Sequence, residues 1–418
     1  MSAATSLPRR RATIVIPLVL AGLATLGPFS IDAPFPAFPQ MGADFGVGAA
    51  QMQLVVSAYL FAFGAMSVFH GPISDALGRK PVMLAGVTAY GIASLAAAFA
   101  PNLAVLLLCR VAQGISAGGG VIVSRTIIRD LFEGAEAQRL MSRVAMIFGL
   151  APAIAPVVGG ALLQTGRWPV IFVFQAGIAL ALISAVTLLL PETHPASRRT
   201  SLSIGGVLQP LGRVARDLAY QRLAWAALLA QASWFIYIGG AAIYVAGLLG
   251  RGESDYWVLF FPMVAGVILG SWVSGRTAGR VGGRAIISIG FGITALGALL
   301  GVALANLPSA ATLPSAIIAP SVMTFGACVA YPTTQLSLLD LFPANRGAAA
   351  SLGACQGLIF NASVTAWLVP SLAGAVRDFA IAAVVLCAGC LALWTWHLLA
   401  ARRPLPTPEH PETLEPEF

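Results

Sequence analysis

Charged side chains are scarce in this sequence of 418 residues, and their scarcity excludes a soluble protein. Asp, Glu, Lys and Arg together make up 10% of the chain, whereas hydrophobic residues make up 58%. Soluble domains carry about 25% charged residues and about 45–50% apolar residues. The composition therefore predicts an integral membrane protein. The formal charge of +8 would suit nucleic acid, but its concentration in short loops indicates anionic lipid and no nucleic-acid partner.

Residue sets for metal, redox or ATP chemistry are also missing. The five cysteines lie in apolar segments, and Cys387 and Cys390 form a lone C-x-x-C with no histidine nearby. We interpret them as packing residues and predict neither a metal site nor a cofactor. The sequence contains no Gly-Lys-Ser/Thr phosphate loop and no Ser/His/Asp set. Direct drive by ATP is therefore excluded, and a membrane-embedded enzyme or sensor is only a remote alternative.

Apolar segments of spanning length fill most of the chain. Their approximate ranges are 13–36, 50–70, 82–100, 103–124, 142–163, 168–190, 222–246, 255–274, 285–305, 312–336, 347–370 and 379–400. Because about 20 apolar residues span a bilayer as a helix, these segments predict an all-α membrane fold of twelve transmembrane helices. The predicted divisions are an N-terminus 1–11, a six-helix bundle 12–190, a linker 191–221, a second six-helix bundle 222–400 and a disordered tail 401–418.

Basic residues are distributed unevenly among the loops. Of the 24 Lys and Arg residues, Arg167, Arg251 and Arg377 lie on one side, and Arg110 lies within an apolar segment. The others lie in the N-terminus, alternate loops, the linker and the C-terminus. By the positive-inside rule, this bias predicts that both termini and the linker are cytoplasmic. The expected location is the inner membrane of a bacterium, and the expected state is a monomer.

Two loops at corresponding places in the two halves resemble each other. GPISDALGRK (71–80) follows the second apolar segment, and GRTAGRVGGR (275–284) follows the eighth. Aligned without gaps, the two loops share glycine at their first and eighth positions and end on a basic residue. Paired halves of this kind are typical of secondary transporters, so we predict two pseudo-symmetric bundles.

The first of these loops satisfies the pattern G-x-x-x-D-x-x-G-R-K. We expect Gly71 and Gly78 to permit a tight turn and close approach of helices. We expect Asp75 to lie just before the next helix and to accept hydrogen bonds from its free N–H groups. Arg79 and Lys80 are expected to contact lipid headgroups or acids opposite.

This loop resembles the signature between helices 2 and 3 of the major facilitator superfamily, and the resemblance covers nearly the whole chain. It implies two six-helix bundles that rock about a central site and so give alternating access. It also implies that Asp75 pairs with an arginine at the cytoplasmic end of helix 4. Arg125 and Arg129 are the candidates for that arginine.

The fourth apolar segment carries Arg110, Gln113 and Gly114 in the pattern R-x-x-Q-G. An arginine at mid-bilayer costs at least about 2.5 kcal/mol, so it marks function unless it reaches the headgroups. Gln113 lies one turn further on the same face. We therefore predict that both side chains point into the protein, with snorkelling of Arg110 to the outer headgroups as the alternative.

The fifth apolar segment contains small residues and prolines that resemble the signature of proton-driven exporters in that superfamily. These residues are Gly149, Pro152, Pro156, Gly159 and Gly160, and Ala155 stands where a glycine is usual. Small residues let helix backbones touch, and prolines permit a hinge. The resemblance favours efflux over uptake, with generic small-residue packing as the alternative.

The end of the first segment, IDAPFPAFPQMGADFG, resembles the corresponding end in Bcr/CflA-type drug exporters, whose pattern is roughly D-x-Y-L-P-A-x-P. The residues that match are Asp32, Pro36, Ala37 and Pro39, and those that depart are Pro34 and Phe35. Asp32 and Arg110 both fall in the outer half of the membrane. We predict that Asp32 carries the coupling proton with Arg110 as its partner, since a nearby cation and an apolar cavity shift a carboxyl in opposite directions. The alternative is an exposed helix-end residue.

Polar and aromatic residues elsewhere are candidates to line a substrate cavity: Tyr59, Gln113, Trp234, Tyr237, Tyr331, Gln356 and Asn361. Aromatic side chains suit flat or cationic apolar solutes. The sequence therefore predicts proton-coupled efflux of small amphiphilic compounds, such as phenicol-like antibiotics, with protons, substrate and lipid as partners. The alternatives are a proton-coupled exporter of a metabolite, such as an amino acid or siderophore, and a symporter.

Overall fold

The structure is a computed structural model that describes residues 9–131, 134–199, 204–252, 254–277 and 280–400. Every regular element within these ranges is helical, and each of the twelve predicted segments falls on a long helix. We number these helices α1 (Arg9–Asp32), α2 (Leu54–Leu77), α3 (Arg79–Ala98), α4 (Leu103–Leu131), α5 (Gly134–Leu163), α6 (Pro169–Leu189), α7 (Leu218–Gly239), α8 (Trp257–Thr277), α9 (Gly283–Ala305), α10 (Ser315–Asp340), α11 (Arg346–Ser363) and α12 (Val376–Ala400).

Shorter helices connect or extend the long ones. They are Phe35–Ala37, Phe38–Phe45 and Ala49–Met52 between α1 and α2, Ala196–Arg198 and Ile204–Ala215 between α6 and α7, the π-helix Ala242–Leu248 after α7, Pro343–Asn345 before α11, and the π-helix Val364–Leu368 with Val369–Ser371 after α11. Tight or widened turns of this kind occur where a span is interrupted.

Ten helical stretches of the described chain are long and apolar enough to cross a membrane. The pair formed by α7 and Ala242–Leu248, which is bent by 48°, makes an eleventh. In α5, the shorter stretch Leu150–Leu163 is apolar. The predicted all-helical membrane fold is confirmed, and these helices agree with the predicted count of twelve.

The long helices pack as two groups that follow the chain order. In the first half, α1 packs on α4 and α5, while α4 also packs on α2 and α3. In the second half, α10 packs on α8 and α9, and α12 packs on α7 and α9. The halves meet where α2 touches α11 and where α5 touches α8.

The alternation of the helices defines two sides. The basic side holds the described connections at 78, 190–199, 204–217, 277, 280–282 and 341–345. The opposite side holds the loops at 33–53, 99–102, 164–168, 249–256, 306–314 and 372–375. The predicted linker contributes the helix Ile204–Ala215, which packs on α11 and α2 through its buried residues Leu211 and Val214. It therefore touches both halves on the basic side.

Candidate functional site

The site begins where α1 ends, on its last residue, Asp32. A proline two positions later, Pro34, disfavours helix at the residue before it, and the chain continues as the tight helix Phe35–Ala37. Asp32 is only 3% exposed, and its Oδ1 atom has no hydrogen-bond partner. The acid is thus enclosed by the protein, which excludes the alternative of an exposed helix-end residue.

Gly159 of α5 packs closely against the backbone just after the end of α1. A side chain at Gly159 would collide with the backbone carbonyl of Ala33, the residue after Asp32. Only a residue without Cβ permits the two backbones to approach in this way. Close packing against the candidate proton site therefore explains why residue 159 is a glycine. Gly160 is buried, and Pro152 and Pro156 lie inside α5.

Arg110 of α4 is fully buried, so the snorkelling alternative is wrong. Its Nε donates to the carbonyl of Val55 at 3.0 Å, and Nη2 donates to the carbonyl of Ser30 at 2.9 Å. Its Nη1 donates to Oε1 of Gln113 at 2.6 Å and to the hydroxyl of Ser30 at 3.3 Å. The guanidinium lies 4.7 Å from the ring centre of Tyr59.

These contacts make the predicted Arg110–Asp32 ion pair unnecessary in this conformation. The ion pairs within the described ranges do not include it. Arg110 is satisfied by neutral oxygens and an aromatic face, which is one way to compensate a buried charge. The predicted direct partnership is therefore absent here, and Tyr59 is the side chain that stands beside Arg110 instead.

Four residues that the sequence analysis missed extend this network. Gln113 donates through Nε2 to the hydroxyl of Ser94 at 2.7 Å and to Oε1 of Gln175 at 3.2 Å. The hydroxyl of Tyr90 bonds that of Ser30 at 2.9 Å and donates to Oε1 of Gln175 at 3.3 Å. A weak signal existed, because Tyr90 and Ser94 are four residues apart on one helix face.

Gly114 explains why the R-x-x-Q-G pattern ends in glycine. A Cβ at Gly114 would overlap the backbone carbonyl of Tyr59 and would lie 3.0 Å from the backbone nitrogen of Phe63. The glycine therefore lets α4 and α2 touch backbone to backbone. This contact places Arg110, one turn away on α4, beside Tyr59 of α2.

The other cavity candidates have different surroundings. Trp234 is half-buried and its Nε1 has no partner, while Gln356 donates to Oε1 of Gln221 at 3.0 Å and has an unpartnered Oε1. Tyr237 packs with Tyr244 and Phe379 in an aromatic cluster of the second half, with ring centres 5.0 and 5.4 Å away. The remaining two are Asn361, which is buried, and Tyr331, which is 55% exposed.

On the opposite side, the two halves are in contact at Phe35, just after the end of α1. The hydroxyl of Tyr256, just before α8, donates to the carbonyl of Phe35 at 3.1 Å. The ring centres of Phe35 and Phe260 are 6.3 Å apart, and those of Phe61 and Trp367 are 5.9 Å apart. Tyr256 and Phe260 therefore join the second half to the chain three residues after Asp32.

On the basic side, the signature loop 71–80 is organised differently from the prediction. Helix α2 runs through Gly71, where a Cβ would meet no atom within 4 Å, so the predicted role of Gly71 in a turn or close approach is wrong. Asp75 also lies inside α2. The free N–H groups of Arg79 and Lys80 donate instead to the carboxylate of Glu192, at 3.0 and 3.2 Å.

Gly78 is the turn residue of this loop. Its φ of 102° is in a region that side chains disfavour, and a Cβ there would lie 2.7 Å from Oε2 of Glu192. The prediction for Gly78 is confirmed. The capping role predicted for Asp75 belongs to Glu192, which follows α6 and is brought to α3 by the packing of these two helices.

Arg79 is buried and joins the loop to α4. It forms ion pairs with Asp75 and Asp130, and its Nη1 donates to the hydroxyl of Ser74 at 2.6 Å. Lys80 donates from Nζ to two carbonyls at the end of α6, at 2.8 Å. Of the two alternatives for this basic pair, acids are therefore the partners of Arg79.

Three predicted residues fall where side chains are outside the described part of the structure. They are Arg125, Arg129 and Gly149. The pairing of Asp75 with an arginine of α4 stays a prediction, although Arg79 already neutralises Asp75. The tail 401–418 and residues 1–8 of the N-terminus also lie outside the described residues.

Comparison with known proteins agrees with this architecture. The family model of the Major Facilitator Superfamily matches residues 18–355. A bacterial homologue of the human lysosomal transporter Spinster superposes with a TM-score of 0.71 at 15% identity, covering 97% of this chain and 100% of that one. A D-xylose–proton symporter gives a TM-score of 0.69 at 16% identity, covering 91% of this chain and 97% of that one. At such identities, these likenesses concern the fold alone.

Relatives by sequence carry drug-resistance names. A bicyclomycin resistance protein homologue of Haemophilus influenzae is 25% identical over 68% of this chain and 72% of its own length. A chloramphenicol resistance protein of Pseudomonas aeruginosa is 27% identical over 68% of this chain and 67% of its own. These names agree with the predicted resemblance to Bcr/CflA-type exporters. The chain is a multi-pass membrane transporter, not an enzyme, and it belongs to the major facilitator superfamily.

Proposed function

We propose that the protein exports small amphiphilic compounds in exchange for protons, by alternating access, and that Asp32 carries the proton. The observation that carries the proposal is the state of Asp32, an acid that is 3% exposed and has an unpartnered Oδ1. A buried carboxyl oxygen without a partner is costly and calls for a functional explanation. Acids within membrane spans are functional by default.

The proposed exchange cycle depends on the contacts that join the two halves at Phe35, close to Asp32 in the chain. When the halves separate on the opposite side, the contacts of Phe35 with Tyr256 and Phe260 break, and water reaches the acid. A proton taken up there is enclosed when the contacts form again. A substrate that enters between the halves from the basic side then displaces the proton toward that side. The net result is one proton inward for each substrate outward.

The class of substrate is inferred from the side chains and from the relatives. Tyr59 and Trp234 are aromatic, and each keeps a polar atom unpartnered. Aromatic surfaces with a few polar groups suit flat amphiphilic molecules. The resistance names of the relatives point to the same class, with phenicol-like antibiotics as the first compounds to try.

Orientation in the membrane completes the proposal. The basic side is the cytoplasmic side by the positive-inside rule, which places both termini and the linker in the cytoplasm of a bacterium. The contacts of Phe35 with Tyr256 and Phe260 then lie toward the outer face of the membrane. The functional unit is a monomer, because each chain contains both halves of the proposed site.

The test uses everted vesicles that contain the protein and a pH-sensitive dye. Addition of chloramphenicol to vesicles with a proton gradient should release protons with the native protein and not with Asp32→Asn. The matched control is Asp44→Asn, which removes an acid that pairs with Arg167 on the opposite side. Full proton release by Asp32→Asn would refute the proton role. Accumulation of substrate by intact cells would show symport instead.

A further inference from the structure

A cluster of two arginines and a histidine lies on the basic side of the second half, away from the proposed transport site. It consists of Arg222 at the start of α7, Arg284 at the start of α9 and His397 in the last turn of α12. Helix α12 packs on both α7 and α9, which brings the three ends together. The guanidinium of Arg222 lies over the ring of Trp396, the residue that precedes His397.

Two members of this cluster have polar atoms without a partner. Nε of Arg222 and Nδ1 of His397 are buried and make no hydrogen bond. The imidazole is fixed in place, because it stacks on Trp394 at 5.5 Å with an angle of 11° between the rings. Trp394 is itself held by a hydrogen bond from Nε1 to the hydroxyl of Ser288, at 2.9 Å. Buried polar atoms without a partner call for an explanation, and a bound ligand would supply one.

Among the described residues, no acidic group forms an ion pair with the cluster. The ion pairs in the described ranges involve Arg79, Arg167 and Arg346, and none involves Arg222 or Arg284. Asp217, the acid nearest to Arg222 in sequence, accepts instead from the backbone N–H of Tyr220 at 2.7 Å and so caps α7. Within the described ranges, the two arginines are therefore without an acidic partner.

The start of α9 adds backbone donors to the same place. Its N-cap is Gly282, which has no side chain to accept from the first N–H groups of the helix. Uncapped helix N-termini attract anions through these N–H groups and the helix dipole. Arg284 lies in this first turn and is exposed.

The surroundings select a lipid as the source of the anion. Trp396 is 52% exposed and lies under the guanidinium of Arg222, with 5.2 Å between that group and the ring centre. Ile289, one turn into α9, is 53% exposed. Tryptophan side chains are enriched where membrane meets water, so acyl chains would run along these apolar side chains below the charged cluster.

We propose that Arg222, Arg284, His397 and the N-terminus of α9 bind the phosphate group of an anionic phospholipid at the basic surface of the membrane. Basic pockets between helix ends on this side are suited to anionic headgroups. The two arginines supply charge and paired donors, and His397 supplies a fixed ring nitrogen. The site is independent of the transport cycle proposed above.

The experiment measures lipid binding to the purified full-length protein by native mass spectrometry. Delipidated protein in neutral detergent is titrated with phosphatidylglycerol or with phosphatidylcholine. Phosphatidylglycerol should bind more tightly, and Arg222→Gln/Arg284→Gln should weaken its binding by about fivefold per arginine. The matched control, Arg346→Gln, removes an exposed arginine on the same side that is already paired with Asp340, and should leave binding unchanged.

Further arms decide between outcomes. Arg222→Lys/Arg284→Lys should retain most of the preference for phosphatidylglycerol, since lysine also binds phosphate, and this variant separates charge from folding. Equal binding of both lipids, or equal loss in the double variant and in Arg346→Gln, would overturn the proposal. Competition by millimolar inorganic phosphate as effective as the lipid itself would overturn the assignment to a lipid.

Discussion

The signature loop 71–80 of the first half and its counterpart 275–284 in the second half differ in what their arginines contact. Arg79 is buried and pairs with two acids of its own half. In the counterpart, Arg276 lies over the ring of Trp272 at 4.7 Å, and Arg280 and Arg284 are exposed. The recorded ion pairs in the described ranges include none of these three arginines.

The difference shows that pseudo-symmetry of the backbone does not extend to the charges. The sequence change that accompanies it is small, because Asp75 aligns with Gly279 and Arg79 with Gly283. In the first half, ion pairs and hydrogen bonds of these charged residues connect α2, α3, α4 and the start of the linker. The second half leaves its charges for the surroundings, which in a membrane are lipid headgroups.

Removing the buried arginine should have the largest effect. Arg79→Ala leaves Asp75 and Asp130 without their common partner, and we expect a loss of about 2–3 kcal/mol of stability, with a fall in efflux. Thermal unfolding in detergent and a drug-susceptibility assay measure the two effects. Arg280→Ala in the counterpart loop is the control and should be near neutral. Similar losses in both variants would contradict the contrast between the loops.

Adding a methyl group at the turn should have the next largest effect. Gly78→Ala places a Cβ against Glu192 at a φ of 102°, and we expect a loss of about 1–3 kcal/mol. The corresponding Gly282→Ala should be tolerated, because Gly282 has a φ of −60° and a Cβ there would meet open space. Thermal melts of both variants test this, and an unchanged melt for Gly78→Ala would disprove it.

Removing the capping acid should have a smaller effect. Glu192→Ala leaves the first N–H groups of α3 without an acceptor, and we expect a loss of about 1 kcal/mol. Hydrogen exchange should show the change at the start of α3. Glu192→Gln keeps an acceptor and serves as the control. Unaltered exchange at Arg79 and Lys80 in Glu192→Ala would argue against capping by this residue.

Supplying the missing cap to the second half should have the smallest effect on stability. Gly282 already has the extended conformation typical of an N-cap. Gly282→Asp should therefore stabilise α9 by about 0.5–1 kcal/mol while competing with a phosphate group for the same N–H groups. We expect a slightly higher melting temperature together with weaker binding of phosphatidylglycerol. A stable variant with unchanged lipid binding would remove the α9 terminus from the proposed lipid site.

The architecture was predictable because spanning length and apolar composition belong to each segment alone. Charges within apolar segments were equally visible, so Asp32 and Arg110 were identified. The rest of the network around Arg110 and Gln113 was not predicted, since Ser30, Tyr90 and Gln175 are uncharged residues that membrane helices often carry. Which of them meet depends on packing between helices, and a single sequence does not specify that packing.

The loop errors have a different physical origin. In a soluble protein, the sequence GPISD would indicate a turn. This is why the sequence predicts Asp75 just before the next helix. Membrane helices tolerate glycine and proline, and α2 continues through Gly71 and Pro72 to Leu77. The turn lies at Gly78 instead. The acid that caps the start of α3 is Glu192, which is more than a hundred residues away in sequence.

The contact between Gly159 and Ala33 has a mechanical consequence. Helix α5 touches the end of α1 on one side and α8 of the other half on another. A displacement of α8 relative to the first half would therefore reach the peptide next to Asp32 through α5. Opening of one face of the protein and a change in the surroundings of Asp32 would then belong to one movement, because Ala33 directly follows Asp32 in the chain.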